Sequence, residues 1–180
     1  DVLKAMQFIK GPKKWVLKSP QHLEQILPLL NTFPDATFAI TYRDPLSVVL
    51  STATMLSYGD RVRRYQVDPK NNFSYWHNRI KTLLERFTAD YKLIPLDQKS
   101  DVFFHDLIKD NIKSVKSIYA KNSLKFSALA NGEIEEYMKL NERGKHGQVI
   151  YNLEDFNVDK SEFYESFKFY FDAFDVSKEI

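Results

Sequence analysis

The first 60 residues alternate between helix-like and strand-like patterns of apolar positions. Apolar side chains recur at helical spacing over 1–10 and 21–30, and a third helix is predicted over 45–58. Between them, two short apolar runs bounded by helix-breaking residues, 15–17 and 37–42, predict buried strands. This order of elements is typical of a parallel sheet covered by helices, so the pattern predicts the α/β fold class.

The rest of the chain continues the pattern with longer helices. The spacing predicts helices over 73–91 and 112–121, a third short strand over 101–105, and a helical or partly irregular segment over 127–141. An aromatic-rich helix is predicted over 161–174, near the end of the chain. The polar segments 59–72 and 143–147 are predicted to be loops. Because no repeat or low-complexity linker interrupts the chain, we expect one domain or part of one.

Composition narrows the function classes. Hydrophobic residues make up 43% of the 180 residues, which is enough for a buried core and excludes wholesale disorder. The net charge of +2 gives no global attraction to nucleic acid. The absence of cysteine excludes disulfide scaffolds, thiol catalysis and cysteine-ligated metal sites. No apolar run approaches the roughly 20 residues that span a bilayer. We therefore expect no transmembrane segment. His77 and His105 lack the spacing of metal ligands, so no metal site is expected either.

A candidate anion site follows the strand at 37–42. Arg43 comes directly after this strand, and Ser51 lies about two turns into the next helix. Ligands of open parallel sheets bind beyond the carboxyl ends of the strands. A guanidinium there binds a phosphate with two hydrogen bonds, and a hydroxyl adds a donor. The alternative is that Arg43 pairs with Asp44 or another carboxylate and that Ser51 has no special role.

A second candidate group follows the strand predicted over 15–17. Lys18 is placed to neutralise charge on a leaving group, and His22 has a side chain suited to accept a proton near neutral pH. If 15–17 is a strand of the same sheet, both residues lie on the same rim as Arg43. The alternative for His22 is simple capping or packing on its own helix.

Two further candidates are weaker by themselves. Arg143, Gly144 and Lys145 belong to a basic loop in which glycine lets backbone N–H groups approach an anion, although a solvated basic turn explains the same residues. Phe104, at the end of the third predicted strand, offers a flat face for a base but also fits an ordinary core position. The chain contains no Gly-x-x-x-x-Gly-Lys loop, Gly-x-Gly-x-x-Gly or Gly-x-Ser-x-Gly motif.

In combination, these segments resemble the sulfotransferases that use 3′-phosphoadenosine 5′-phosphosulfate (PAPS), in particular the bacterial-type branch with a Leu-Lys-Ser-Pro-x-His motif. The resemblance runs through nearly the whole chain in the family's order. It is carried by the segments 15–23, 33–36, 42–51, 103–110, 117–119 and 144–156. It implies the P-loop-NTPase-like fold of that family, here in partial form.

The resemblance also implies roles for the candidate residues. Arg43 and Ser51 match the Arg-x₇-Ser pair that grips the 3′-phosphate, and Phe104 matches an aromatic position near the adenine. Lys18 matches the lysine that follows the short strand. The second 3′-phosphate clamp of the family is matched by Arg143, Gly144 and Lys145.

Three departures from the family pattern are visible. Pro20 stands where well-studied cytosolic members have their catalytic histidine, so the general base is either His22 or a residue outside this chain. Glu142 precedes Arg143, where many members have two adjacent basic residues. The Ser/Gly/Thr-rich loop that holds the 5′-phosphosulfate in the family has no match. We therefore expect residues 1–180 to be the C-terminal part of a single sulfotransferase domain.

The expected function is transfer of a sulfuryl group from PAPS to a hydroxyl or amine of a small-molecule, glycan or lipid acceptor, with 3′,5′-ADP as product and no metal. The rival readings are a related nucleotide kinase and a non-catalytic nucleotide-binding or assembly domain of the same fold. The cofactor and the lack of cysteine favour a cytoplasmic location. No nucleic-acid partner is expected, and a homo-oligomer is left open.

Overall fold

The computed structural model describes residues 1–142, 144–145, 147, 151 and 153–180. Two parallel strands, β1 (Phe38–Tyr42) and β2 (Lys99–Phe103), pair in register from Phe38 with Lys99 to Tyr42 with Phe103. The helices are α1 (Val2–Lys10), α2 (Ile26–Thr32), α3 (Pro45–Arg61), α4 (Pro69–Asp90), α5 (Phe104–Lys109), α6 (Asn111–Lys121), α7 (Ala128–Leu140), α8 (Leu153–Phe156), α9 (Lys160–Ser166) and α10 (Lys168–Ala173). The predicted α/β class with a parallel sheet and packed helices is confirmed.

Helix α4 joins the two apolar clusters of the core. On one side, Phe73 and Ile80 pack with the buried face of α3 and with the aromatic side chains of α8 and α9. On the other side, Phe87 packs against β1 and α10. Full burial of a phenylalanine or leucine side chain is worth about 1.5–3 kcal/mol relative to exposure. The helix predicted over 73–91 therefore corresponds to α4, which packs against both the sheet and the C-terminal helices.

The prediction of a strand over 15–17 is wrong. Residues 13–19 form no regular secondary structure, and the side chains of Val16 and Leu17 are 96% and 47% exposed. A strand exists only if a neighbouring strand satisfies its backbone groups. Within the described part of the chain β1 pairs only with β2, so this segment has no strand partner.

The helix predicted over 21–30 is interrupted. A 3₁₀ helix spans Pro20–Glu24, and α2 starts afresh at Ile26. Pro28 explains the break, because a continuous α-helix would require its missing N–H and would push its ring against the carbonyl of Glu24. The restart places Pro28 in the first turn of α2, where the N–H has no intrahelical partner in any case.

Other predicted boundaries shift for local reasons. The loop predicted over 59–72 shrinks to 62–68, since Asp68 caps α4 by accepting hydrogen bonds from the backbone N–H groups of Lys70 and Asn71. The strand predicted over 101–105 ends at Phe103, and the helix predicted over 161–174 is divided at Phe167 between α9 and α10. The segment predicted over 127–141 as helical or partly irregular forms the regular helix α7 (Ala128–Leu140), capped by Ser127.

Candidate functional site

The turn between β1 and α3 fixes the backbone of Arg43. Tyr42, just before it, is 1% exposed and stacks on Phe103 with a centroid distance of 4.7 Å. Tyr170 packs against the other side of this core position, with its ring centroid 6.5 Å from that of Tyr42, and burial raises the pKa of Tyr170. Arg43 therefore leaves the carboxyl end of β1 from a rigid base, at the rim where ligands of parallel sheets bind.

The Arg43 side chain is held by two contacts. Its Nε donates to the carboxylate oxygens of Glu179 at 2.9 and 3.1 Å, and its Nη2 donates to Oε2 at 2.9 Å. Its Cζ lies 4.0 Å from the ring centroid of Phe104, so the guanidinium packs over the aromatic face. The side chain remains 39% exposed. The structure thus shows the alternative given in the sequence analysis, in which Arg43 pairs with a carboxylate, and the partner is Glu179.

Asp44 is the buried anchor of the same turn. Its carboxylate caps α3 by accepting from the Leu46 N–H at 3.0 Å, and it also accepts from the Tyr164 hydroxyl at 2.9 Å and the Glu179 N–H at 2.8 Å. Burial and the neighbouring Asp44 carboxylate raise the pKa of Tyr164. One fully buried carboxylate therefore joins the start of α3 to the end of the chain.

Ser51 lies half-buried in the second turn of α3. It is six positions after the first helical residue, Pro45, a rise of about 9 Å along the helix axis. No hydrogen bond joins Ser51 to Arg43 among the described interactions. The two residues share one strand–helix unit, but an anion would have to lie between them to contact both.

The sequence pattern placed Phe104 at the end of a strand, but in the structure it is the first residue of α5. It is half-buried, and one face is covered by Arg43. Next to it, a cavity of about 300 Å³ opens along β2, α5 and α6. The cavity walls carry both signs of charge, from Asp101, Asp106, Lys109, Asp110 and Lys113.

Lys18 and His22 do not follow a strand, because 15–17 is irregular. Lys18 is exposed, and His22 is half-buried in the 3₁₀ helix Pro20–Glu24. This helix is tied to α4 by a two-pronged ion pair of Glu24 with Arg79, which lowers the pKa of Glu24. No described contact brings Lys18 or His22 to Arg43.

The glycine loop is described only in part. Gly144 and Gly147 have φ of 85° and 90°, a left-handed conformation that a side chain would strain, and the Gly147 N–H donates to the Gly144 carbonyl at 2.9 Å. The Lys145 ammonium donates to the Leu140 carbonyl at 2.7 Å, at the C-terminal end of α7. Arg143 lies outside the described residues. The structure therefore shows no approach of Lys145 to Arg43.

Sequence reasoning missed Glu179 and the role of Asp44. The Asp-Pro step after β1 is a recognisable helix start, with Asp44 as the cap and Pro45 in the first turn. No local signal marks Glu179, which is 136 residues from Arg43 in the chain.

Two structural absences concern the described residues alone. No group of three or more histidine, aspartate or glutamate side chains there is arranged to hold a metal ion. No helix in that part of the chain is long and apolar enough to cross a bilayer.

Comparison with known proteins gives two consistent findings. The sequence model of the sulfotransferase family matches residues 2–128. Among solved structures, the fold is similar to sulfotransferase STF9 from Mycobacterium avium, with a TM-score of 0.83, 19% identity, and coverage of 97% of this chain and 45% of that one. It is also similar to sulfotransferase STF1 from Mycobacterium tuberculosis H37Rv, with a TM-score of 0.69, 24% identity, and coverage of 89% and 41%.

The chain thus spans less than half the length of either structure. No curated protein sequence matches it significantly.

Proposed function

Because the chain belongs to the sulfotransferase family, we propose that it forms the C-terminal part of a domain that transfers a sulfuryl group from PAPS to an acceptor hydroxyl or amine. The observation that carries the proposal is the position of the Arg43 side chain. Its guanidinium emerges from the carboxyl end of β1, packs on Phe104, and is partly open to solvent. A charged planar fork at this place fits the 3′-phosphate that distinguishes PAPS from ATP.

The proposed clamp has two halves. Arg43 and the Ser51 hydroxyl bind the 3′-phosphate from the β1–α3 unit. Arg143, Gly144 and Lys145 are proposed to approach the same phosphate from the glycine loop. The second half is supported by the tight turn that the left-handed conformation of Gly144 allows, and by the positive charge of the exposed Lys145 beside it. Phe104 is proposed to lie near the adenine.

The donor supplies an activated sulfuryl group, and the protein's contribution is positioning and charge stabilisation. Lys18 is proposed to stabilise charge on the leaving oxygen. His22, or a residue outside this chain, is proposed to accept the acceptor's proton, a contribution of about 10²–10⁴-fold in rate. A small molecule, a glycan or a lipid with a hydroxyl or amine fits as acceptor, and the proposed location is the cytoplasm.

The test is ligand-dependent thermal stability of the full-length protein with 3′,5′-ADP, AMP and ATP. At 100 times its Kd, a ligand stabilises the protein by about 2.7 kcal/mol. For domains of about 150–250 residues, each kcal/mol raises the melting temperature by roughly 2–4 °C, so the expected shift is several degrees. We expect a shift with 3′,5′-ADP that AMP does not match and that Arg43→Ala removes.

Arg63→Ala is the matched control, since Arg63 is an exposed arginine in the 62–68 loop. It should keep the full shift. A larger shift with ATP than with 3′,5′-ADP would favour a kinase instead. A protein that binds 3′,5′-ADP selectively, but releases none of it from PAPS when hydroxyl and amine acceptors are supplied, would instead be a non-catalytic nucleotide-binding domain.

A further inference from the structure

Glu179 occupies only one edge of the Arg43 guanidinium. Its carboxylate receives hydrogen bonds from Nε and Nη2, all between 2.9 and 3.1 Å. A guanidinium carries five N–H donors in a planar fork. Among the described interactions, Nη1 of Arg43 makes no hydrogen bond. The edge formed by Nη1 and the second N–H of Nη2 is therefore left for another anion.

Phe104 restricts the orientation of the same group from a different direction. The ring lies against the guanidinium plane, with Cζ 4.0 Å from its centroid. Glu179 acts within that plane and Phe104 acts on its face. Together the two contacts fix both the tilt and the rotation of the guanidinium while the side chain stays 39% exposed.

The backbone around Glu179 is anchored independently of its side chain. The Glu179 N–H donates to Asp44 at 2.8 Å, and the Ile180 carbonyl lies 3.1 Å from the Tyr164 hydroxyl, whose one hydrogen is shared between this carbonyl and Asp44. Just upstream, Phe174 and Val176 pack against the cluster that contains Tyr42 and Phe87. A substitution of the Glu179 side chain should therefore leave the C-terminal segment in place.

We propose that Glu179 is a positioning residue that holds Arg43 with its free edge presented to the 3′-phosphate. The inference rests on the proposed role of Arg43 as the phosphate clamp. Carboxylate and phosphate would use different edges of one guanidinium, so they need not compete. An arginine that is already oriented loses less side-chain freedom when the nucleotide binds. The site would then include residues from the end of the chain, beyond the 2–128 segment that the family model matches.

The experiment measures Kd for 3′,5′-ADP and for AMP by calorimetry on the full-length protein and on Glu179→Ala. An ordered side chain is worth about 0.5–1.5 kcal/mol, so Glu179→Ala should weaken 3′,5′-ADP binding about two- to tenfold. AMP binding should not change, because AMP lacks the 3′-phosphate. Glu179→Gln keeps one acceptor oxygen and should lose less affinity than Glu179→Ala.

Glu165→Gln is the control for net charge, since it removes an exposed carboxylate from α9. It should bind both nucleotides as the wild type does. The ratio of the two Kd values separates positioning from a structural effect, because a displaced C-terminal segment would lower the melting temperature and weaken both nucleotides together.

Tighter binding of 3′,5′-ADP by Glu179→Ala would overturn the proposal and show that the carboxylate competes with the phosphate. An unchanged Kd ratio in Glu179→Ala, with the ratio lost in Arg43→Ala, would also overturn it while leaving the proposed function intact. A wild-type protein that binds AMP as tightly as 3′,5′-ADP would instead refute the 3′-phosphate clamp itself, and this proposal with it.

Discussion

Two apolar segments near opposite ends of the chain have different fates. In the N-terminal segment, α1 has no buried residue, and Phe8 and Val16 are 92% and 96% exposed. In the C-terminal segment, Phe163 and Phe167 are 4% and 0% exposed. Both segments have enough apolar positions to drive burial. The difference lies in what each meets in the described structure, and not in composition.

The C-terminal rings are buried because they meet each other and α4. Phe163 stacks on Phe167 with a centroid distance of 4.7 Å, and Phe73 and His77 from α4 complete the cluster. The N-terminal segment faces no comparable surface in the described part of the chain. An amphipathic pattern thus predicts which face of an element is apolar, but the element's neighbours decide whether that face is buried.

The sharpest way to break this comparison is to truncate one ring in each segment. Phe167→Ala removes a fully buried ring and should lower the free energy of unfolding by about 3–5 kcal/mol, through lost transfer energy and a residual cavity. Phe8→Ala, the matched control, removes a ring that is 92% exposed and should stay within about 0.5 kcal/mol of wild type. Urea unfolding measures both. Similar losses for the two variants would mean that the N-terminal face is buried after all.

The same contrast explains how far the sequence could predict the fold. Helix α4 and strand β1 were predictable because each carries a clear apolar pattern and starts or ends at a strong local signal. The segment 15–17 has a strand-like sequence, but a strand depends on a second strand that no local pattern reveals. The break after Glu24 was readable in principle from Pro28, whose missing N–H excludes a continuous helix.

The candidate site divides in the same way. Arg43 could be found because its position at the end of a predicted strand has a physical meaning in parallel sheets. Glu179 could not be found, because a contact across 136 residues depends on the packing of α10 and the segment after it against β1. The placements of Lys18 and His22 relied on the strand at 15–17, so that geometric argument no longer supports them, and their roles stay predictions.

A second variant tests how firmly the C-terminal segment is tied to the core. Asp44→Asn keeps the size of the side chain and one acceptor, which can still cap α3. Its amide group, however, would face the Tyr164 hydroxyl and the Glu179 N–H, both of which now donate to Oδ2. The Tyr164 hydroxyl could still donate to the Ile180 carbonyl at 3.1 Å, but the partly buried Glu179 N–H has no other described acceptor. Leaving such a donor unpaired costs about 1–3 kcal/mol, so we expect a loss of that order in urea unfolding.

Asp68→Asn is the matched control for Asp44→Asn. Asp68 also caps a helix, but it accepts only from backbone N–H groups at one exposed oxygen. Asparagine caps a helix about as well as aspartate, so this variant should be close to wild type. Equal losses for the two substitutions would show that capping alone explains Asp44, and that its bonds to the C-terminal segment contribute little.

The smallest expected effect is the pH response of the buried aromatic cluster. Mainly burial, and secondarily the charge of Lys81, lower the pKa of His77 below its ordinary value of 6.5, while Glu162 opposes the shift. The His77 Nε2 lies 3.0 Å from the Ser166 hydroxyl, and the ring packs on Phe163 at a centroid distance of 5.0 Å. The folded protein therefore favours the neutral imidazole at a pH where the unfolded chain already binds the proton.

The sign follows from the proton balance. Between the lowered folded pKa and 6.5, the unfolded state binds more protons, so stability falls as the pH drops through this window and is fully present above it. Urea midpoints measured from about pH 7.5 to about pH 5.5 should decline more steeply for wild type than for His77→Gln, which keeps a polar side chain facing Ser166 but cannot titrate. Equal slopes would mean that His77 is as accessible to the proton in the folded cluster as in the unfolded chain. The C-terminal segment would then be less tightly packed than its rings imply, and the contrast with the exposed N-terminal segment would narrow.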